Sequence, residues 1–300
     1  MKPDLRTLDL NLLKTLDALL DERSVTRAAA RLSLTQPAVS GMLTRLRDNF
    51  GDPLFIRAPH GMVPTLRAQQ LAPVVKQILN DINTLLQPAQ FDPLTADFTI
   101  TLAATDYALK AVVVPFIAAL KVRAPNIRVR VIPVEPERLT AQFEQGKIDL
   151  ALLTPSTTPG DLHSRTLYEE RYVCMLRADH PDAQVPLSLD RFCALEHILV
   201  SYEGESFWGV TDDALAKVGR KRRVGLSVSS FLVLPEVLVV SDMIAVVPSR
   251  LARARASICV QEPPVAIHGF TKSMAWHERN HRDPAQQWLR ELLHETSQQA

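Results

Sequence analysis

Four polar side chains carry the first chemistry legible in this chain. Gln36, Ser40, Thr44 and Arg47 recur at helical spacing, so one face of a helix would present an amide, two hydroxyls and a guanidinium. Val39, Leu43, Leu46 and Phe50 follow steps of 4, 3 and 4 and form a separate apolar stripe. A helix packed on one side and offering such groups on the other is what reading base edges in a DNA major groove requires. Seven arginines and two aspartates fall between Arg23 and Arg67, an excess of +5 in a chain whose overall charge is +1. The basic character is therefore local, and all of it is arginine, the side chain suited to bidentate phosphate and guanine contacts. A solvated basic face is the plainer alternative.

A second pattern points elsewhere. His277-Glu278-Arg279-Asn280-His281 matches the H-E-x-x-H spacing of zinc hydrolases, in which two imidazoles hold the metal and the carboxylate handles a water proton. That chemistry needs both imidazoles on one face of a helix. Here the segment follows an expected strand at 273–276 and precedes Asp283-Pro284, where a helix starts, so it is expected in a loop. A metal-dependent hydrolase is therefore the weaker alternative, and no metal or cofactor is expected. Ser206, Ser229 and Ser230 have neither a G-x-S-x-G elbow nor an acid–base partner nearby, and read as helix caps. Arg220-Lys221-Arg222-Arg223 reads as a basic run offsetting a helix dipole.

These groups need a scaffold. Residues 10–22 read as a first helix with Leu12, Leu13, Leu16, Leu19 and Leu20 inward. Ser24 caps a second, and Ala28, Ala29 and Ala30 permit its close packing. Thr35 caps the third, with Pro37 in its first turn. Gly51-Asp52-Pro53 ends it, and strands at 54–57 and 62–64 flank Pro59-His60-Gly61 as a wing whose Arg57 can reach phosphate. Thr65 caps a long helix to about residue 86. Its Leu71, Val75, Ile78, Ile82 and Leu85 step by 4, 3, 4 and 3, a heptad seam able to pair two chains. Packing on the chain's own core is the alternative, and Pro73 is expected to kink the start. The prolines of 87–93 mark a connector.

From residue 96 strands alternate with helices. Strands are expected at 98–103, 128–133, 149–153, 172–177, 198–201, 223–228 and 244–247, with helices at 106–123, 136–145, 207–218, 231–239 and 284–296. This rhythm implies open parallel sheets with helices on both faces, which take small molecules at the carboxyl ends of their strands. Tyr202, Phe207 and Phe231 are candidate apolar walls of such a site. Cys174, Cys193 and Cys259 are scattered, which fits buried thiols in a reducing compartment. Residues 1–9 mix charges without an apolar core and no apolar run is long enough for a bilayer, so a cytoplasmic protein without membrane contact is expected.

This arrangement resembles the LysR-type transcriptional regulators of bacteria. The resemblance is carried by Leu10-Asn11-Leu12-Leu13, Ala28-Ala29-Ala30-Arg31-Leu32, Thr35-Gln36-Pro37-Ala38-Val39-Ser40, Arg45-Leu46, Asp52-Pro53-Leu54-Phe55-Ile56-Arg57 and Pro64-Thr65. Asp283-Pro284 and Trp288-Leu289-Arg290 look like the last helix of that family's effector domain. Gly51-Asp52-Pro53-Leu54-Phe55 is similar to the branch of nodulation and aromatic-catabolism regulators, while Ala68 stands where many relatives have Gly.

The resemblance implies an N-terminal all-α winged helix-turn-helix with a long linker helix, then a two-lobed α/β effector domain like type 2 periplasmic binding proteins. The expected boundaries are 8–65 for the DNA-binding domain (motif about 25–44), 66–92 for the dimerisation helix and 97–300 for the effector domain. Its first lobe would hold 97–164 and 268–300, its second 165–267. Gln36, Pro37 and Ser40 would face base edges with Thr44 beside them, while Thr35, Arg45 and Arg57 would meet phosphate or the minor groove. Thr105, Asp106, Tyr202, Ser229, Ser230 and Phe231 would line the effector cleft. The implied partners are double-stranded promoter DNA, a small anionic or aromatic effector, and further copies of the chain as homodimer or homotetramer.

Overall fold

Asp9, Ser24 and Thr35 each turn a side-chain oxygen onto the backbone N–H three residues on. These caps satisfy amides that have no intrahelical partner and start α1 (Leu10–Glu22), α2 (Val25–Arg31) and α3 (Gln36–Phe50). Gly51, at φ 61°, ends α3 in the left-handed conformation. Strands β1 (Phe55–Ala58) and β2 (Gly61–Pro64) pair antiparallel, Arg57 opposite Met62. The hydroxyl of Thr65 accepts from Ala68 at 3.1 Å and opens α4 (Leu66–Leu86), which stays helical across Pro73. The computed structural model describes residues 9–59, 61–86, 91–201, 206–252 and 256–299, and the chain divides into units 1–89 and 90–300.

The first unit closes over Leu12, Leu16, Leu19, Val39, Leu46 and Leu54, all fully buried. Each contributes about 1.5–3 kcal/mol of burial before entropy is counted.

In the second unit the elements run β3 (Thr99–Ala103), α5 (Asp106–Ala108), a π-helical turn at Leu109–Val113, α6 (Val114–Arg123), β4 (Arg128–Ile132), α7 (Leu139–Glu144), β5 (Leu150–Leu153), β6 (His163–Glu170) and β7 (Tyr172–Arg177). Then follow α8 (Leu189–Ala194), β8 (Glu196–Val200), α9 (Val210–Lys217), β9 (Arg223–Val228), α10 (Leu234–Val239), β10 (Ile244–Pro248), β11 (Ile258–Gln261), β12 (Phe270–Trp276) and α11 (Pro284–Gln299). One sheet has the order β4-β3-β5-β12-β6, the other β11-β7-β10-β8-β9.

The expected two-lobed architecture is present, with two corrections. The sheets are mixed, not purely parallel: β12 runs antiparallel to β5 and β6, and β7 antiparallel to β10 and β11. Secondly, β6 belongs to the first sheet, so the chain crosses between lobes at Arg171, six residues past the expected 165. As an edge strand β6 carries exposed polar residues and lacks the apolar run that marks central strands. Strand β5 shows the contrast. Leu150 and Leu152 pack toward α6 and α11, while Ala151 and Leu153 pack toward α7, so both faces are buried.

The basic run after α9 is not a dipole cap. Arg220 pairs with Asp190, Arg222 with Asp212 and Arg223 with Glu196, so these side chains tie neighbouring elements together. Among the described residues no helix is long and apolar enough to cross a membrane.

Candidate functional site

Helix α3 separates its faces as its spacing requires. Val39, Leu43 and Leu46 are buried, whereas Thr35, Gln36, Pro37, Thr44 and Arg45 are exposed and Ser40 half-exposed. The Gln36 amide donates to the Ser40 hydroxyl at 3.4 Å, and Thr44 bonds back to the Ser40 carbonyl at 3.2 Å. These groups form one polar row at the start of the helix. Arg47 leaves that row. Its guanidinium donates to the carbonyls of Pro53 and Phe55, at 2.9 and 3.3 Å, and props the chain entering the wing.

Residues the motif spacing did not single out fix the wing. One oxygen of Asp52 accepts the Leu54 amide and the Thr65 hydroxyl, each at 2.7 Å, so both ends of the hairpin meet on one carboxylate. That grip holds buried Leu54 at φ 58°. At the tip, Met62 donates to the carbonyl of Arg23 at 3.1 Å. Gly61 lies against the same carbonyl with φ 126°, so a side chain there would meet both a strained backbone and an obstructing oxygen. Arg57 remains exposed on β1.

The basic excess is smaller than the count from Arg23 suggests, because its counter-charges lie on α1 and just before it. Arg27 pairs with Glu22, Arg31 with Asp21 and Asp17, and Arg45 with Asp9 at 3.0 Å. The Leu12 amide and the Arg45 guanidinium hold the Asp9 carboxyl below its usual range.

The heptad seam on α4 is divided. Val75 is 2% exposed and packs into the chain's own core, with Leu71 and Leu79 against it. Val75 therefore cannot face a second chain, because α1 already covers it. Ile78 and Leu85 are exposed, as are Val74 and Leu86, and Ile82 is half-exposed, so an apolar stripe persists one helical position away.

In the second unit, Thr105 caps α5 by accepting from Ala108 at 3.3 Å. Asp106 follows. Its Oδ1 accepts the Tyr107 amide at 2.6 Å, and its Oδ2 accepts the Ser230 hydroxyl at 2.7 Å and the Phe231 amide at 2.6 Å. Thr105, Asp106, Ser230 and Phe231 are thus brought together across the lobes. Ser229 is exposed beside them, and Tyr202 lies outside the described residues. The serines do not cap α10 as expected, because that helix starts only at Leu234. Ser230 instead accepts from Leu232 at 3.1 Å while it donates to Asp106. Ser206 likewise forms a turn with Trp208, and Phe207 is 61% exposed. Below Asp106, the Tyr107 ring meets Phe231 and Phe270 edge-on at 6.4 and 5.5 Å. Its hydroxyl donates to Glu170, a residue absent from the sequence-level candidates. An open cavity of about 370 Å³ sits outside this cluster, bounded by Arg171, Glu262, Pro263 and Ile267.

The H-E-x-x-H segment forms a short 3-10 turn at Glu278–Asn280 instead of a helix. Its two histidines do not converge. The groups that do are His163, Glu278 and His281. The rings of His163 and His281 stack with centroids 4.2 Å apart and planes 13° from parallel. Imidazole lone pairs lie in the ring plane, so an ion shared by two stacked rings would sit well off both. Trp276 also donates to Nδ1 of His281 at 3.2 Å, which leaves the proton on Nε2. This geometry is a packed, hydrogen-bonded stack and not a hydrolase centre. The thiol of Cys174 is buried, which pushes its pKa up to about 12 and makes it inert.

Comparison with known proteins agrees with this geometry. Residues 10–69 match the family model described as bacterial regulatory helix-turn-helix protein, lysR family, and residues 97–298 match the LysR substrate binding domain. The chain is 39% identical to the transcriptional activator NagR of Ralstonia sp, covering 99% of this chain and 100% of that protein. It is 37% identical to the activator NahR of Pseudomonas putida, covering 97% and 98%. It is also 31% identical to nodulation protein D 3 of Rhizobium leguminosarum bv. phaseoli, covering 95% and 96%, which accords with the nodulation side of the expected branch. A crystal structure of a probable transcriptional regulator from Pseudomonas aeruginosa aligns with TM-score 0.60 and 32% identity over 96% of this chain and 97% of that one. Full-length OxyR from the same organism shares the fold, with TM-score 0.68 at 19% identity over 97% of this chain and 99% of that one. The chain belongs to the LysR family: it is a DNA-binding transcriptional regulator, not an enzyme, with a helix-turn-helix unit and a substrate-binding domain.

Proposed function

We propose that this regulator reads promoter DNA through Gln36, Pro37, Ser40 and Thr44 at base edges, with Thr35, Arg45 and Arg57 on the sugar-phosphate backbone. The observation that carries the reading is the exposed polar row at the start of α3, opposite the buried Val39, Leu43 and Leu46. Glutamine pairs bidentately with adenine, which discriminates by about 1–3 kcal/mol. The exposed Ile78 and Leu85, with the half-exposed Ile82, pair two chains, as a dimer or within a tetramer, so two recognition helices meet a two-fold site in the cytoplasm. The effector is a small anionic or aromatic molecule bound between the lobes near Thr105, Asp106, Ser229, Ser230 and Phe231. It acts by shifting the placement of the paired DNA-binding units and the bend of the DNA.

A mobility-shift titration tests the base-reading role. Gln36→Ala is expected to weaken the specific site and spare random DNA. Equal losses on both would overturn the assignment.

A further inference from the structure

Two carboxylates of the first lobe hold donors of the second on either side of the Tyr107 ring. At the crossover, Glu170 is 4% exposed. Its Oε2 accepts the Tyr107 hydroxyl at 2.5 Å. Its Oε1 accepts the Ser249 hydroxyl at 2.6 Å, the Ser249 amide at 3.1 Å and the Arg171 amide at 2.9 Å. The return crossing lies directly on this point, because a Cβ added to Gly269 would collide with the Glu170 carbonyl. Toward the outside, Asp106 holds the Ser230 hydroxyl and the Phe231 amide, and all three residues are partly exposed.

The two grips differ in what replaces them when they break. Glu170 is walled in by Tyr107, Ser249 and the backbone at Gly269, so parting it from its two lobe-two donors, the Ser249 hydroxyl and amide, leaves a carboxylate that water cannot reach. Asp106 can exchange its two lobe-two donors for water. Motion between the lobes is therefore cheapest about Glu170, with parting at Asp106.

We propose that Asp106 is a releasable latch that closes the two lobes of the ligand-free regulator about a pivot at Glu170 and Gly269. Its use by an effector rests on the reading of the interlobe cleft as the effector site; the latch itself does not. An effector that fits only the parted lobes shifts the equilibrium by opening this contact.

Hydrogen exchange on ligand-free, full-length protein tests it. In Asp106→Ala, residues 229–232 are expected to exchange about tenfold faster or more, with both sheets and residues 168–172 unchanged. Asp106→Asn, which keeps an acceptor oxygen, restores part of the protection. Ser230→Ala in the Asp106→Ala background adds faster exchange only at the Leu232 amide, which donates to the Ser230 hydroxyl. Unchanged exchange at 229–232 would overturn the latch, as would acceleration spread equally over both sheets. Gly269→Ala is expected to accelerate residues 168–172, and its silence there would overturn the pivot. Because no ligand is present, a failure of effector binding in a separate titration leaves this result standing, and the converse also holds.

Discussion

Arg222 donates through Nε and Nη2 to the two oxygens of Asp212, at 3.0 and 2.8 Å, with side chains only 1% and 8% exposed. The same aspartate accepts the Gly209 amide at 2.9 Å and so starts α9. Removing one partner leaves the other buried and uncompensated. Arg222→Ala is expected to destabilise the domain by about 3–5 kcal/mol in chemical denaturation. Arg222→Lys should recover little, because a lysine cannot match the two-pronged geometry.

His197 lies against this pair. Arg222 can only donate, so it supplies a proton to Nδ1 of His197 at 3.2 Å, and the ring's Nε2–H donates to the Phe192 carbonyl at 2.7 Å. Burial first, and the Arg222 charge in addition, lower its pKa from 6.5 to about 4. Between those values the unfolded chain binds the proton and the folded one does not. Stability is therefore full above pH 6.5 and falls as pH drops toward 4, by at most about 1.4 kcal/mol per unit. Denaturation of His197→Asn across this window should show a flatter dependence, and an unaltered slope would exclude the histidine as its source.

On the proposed reading, Asp9 and DNA compete for Arg45. The 3.0 Å ion pair is exposed on both sides, so it is worth little to stability yet occupies the guanidinium expected on phosphate. Asparagine caps helices as well as aspartate. Asp9→Asn is expected to leave the melting temperature unchanged and to tighten DNA binding at low salt. Weaker binding would assign the pair a positioning role.

Arg57 is exposed on the wing. Arg57→Ala is expected to lower affinity on all sequences and to reduce the magnitude of the salt slope by about 1. The measurement is log affinity against log salt on specific and random duplexes.

The divided stripe of α4 separates folding from assembly. Ile78→Asp or Leu85→Asp is expected to lower the sedimentation mass while preserving the melting temperature, because both positions are exposed. Val75→Ala should do the reverse, costing about 1–3 kcal/mol of stability through a core cavity.

Much of the DNA-binding unit was legible in the sequence because its determinants are local. Ser24 and Thr35 bond to amides three residues away, and the burial of Val39, Leu43 and Leu46 follows from the helical period alone. The seam at Leu71 and Val75 was ambiguous for the same reason, since a period states that a face is apolar and not which surface covers it. In the effector domain, central strands such as β5 announce themselves by apolar runs, whereas the polar edge strand β6 does not, and this moved the crossover from 165 to Arg171.

The sequence by itself determined the polar row on one face of α3, where the first three helices begin and that the remaining two-thirds is an α/β domain. Only the tertiary structure decided which side chains meet. Asp106 and Ser230 are 124 residues apart, and Tyr107 and Glu170 are 63 apart. Caps and periods are set by hydrogen bonds and packing within one or two turns of chain. Contacts across lobes depend on how whole sheets pack and twist, and no local spacing encodes them.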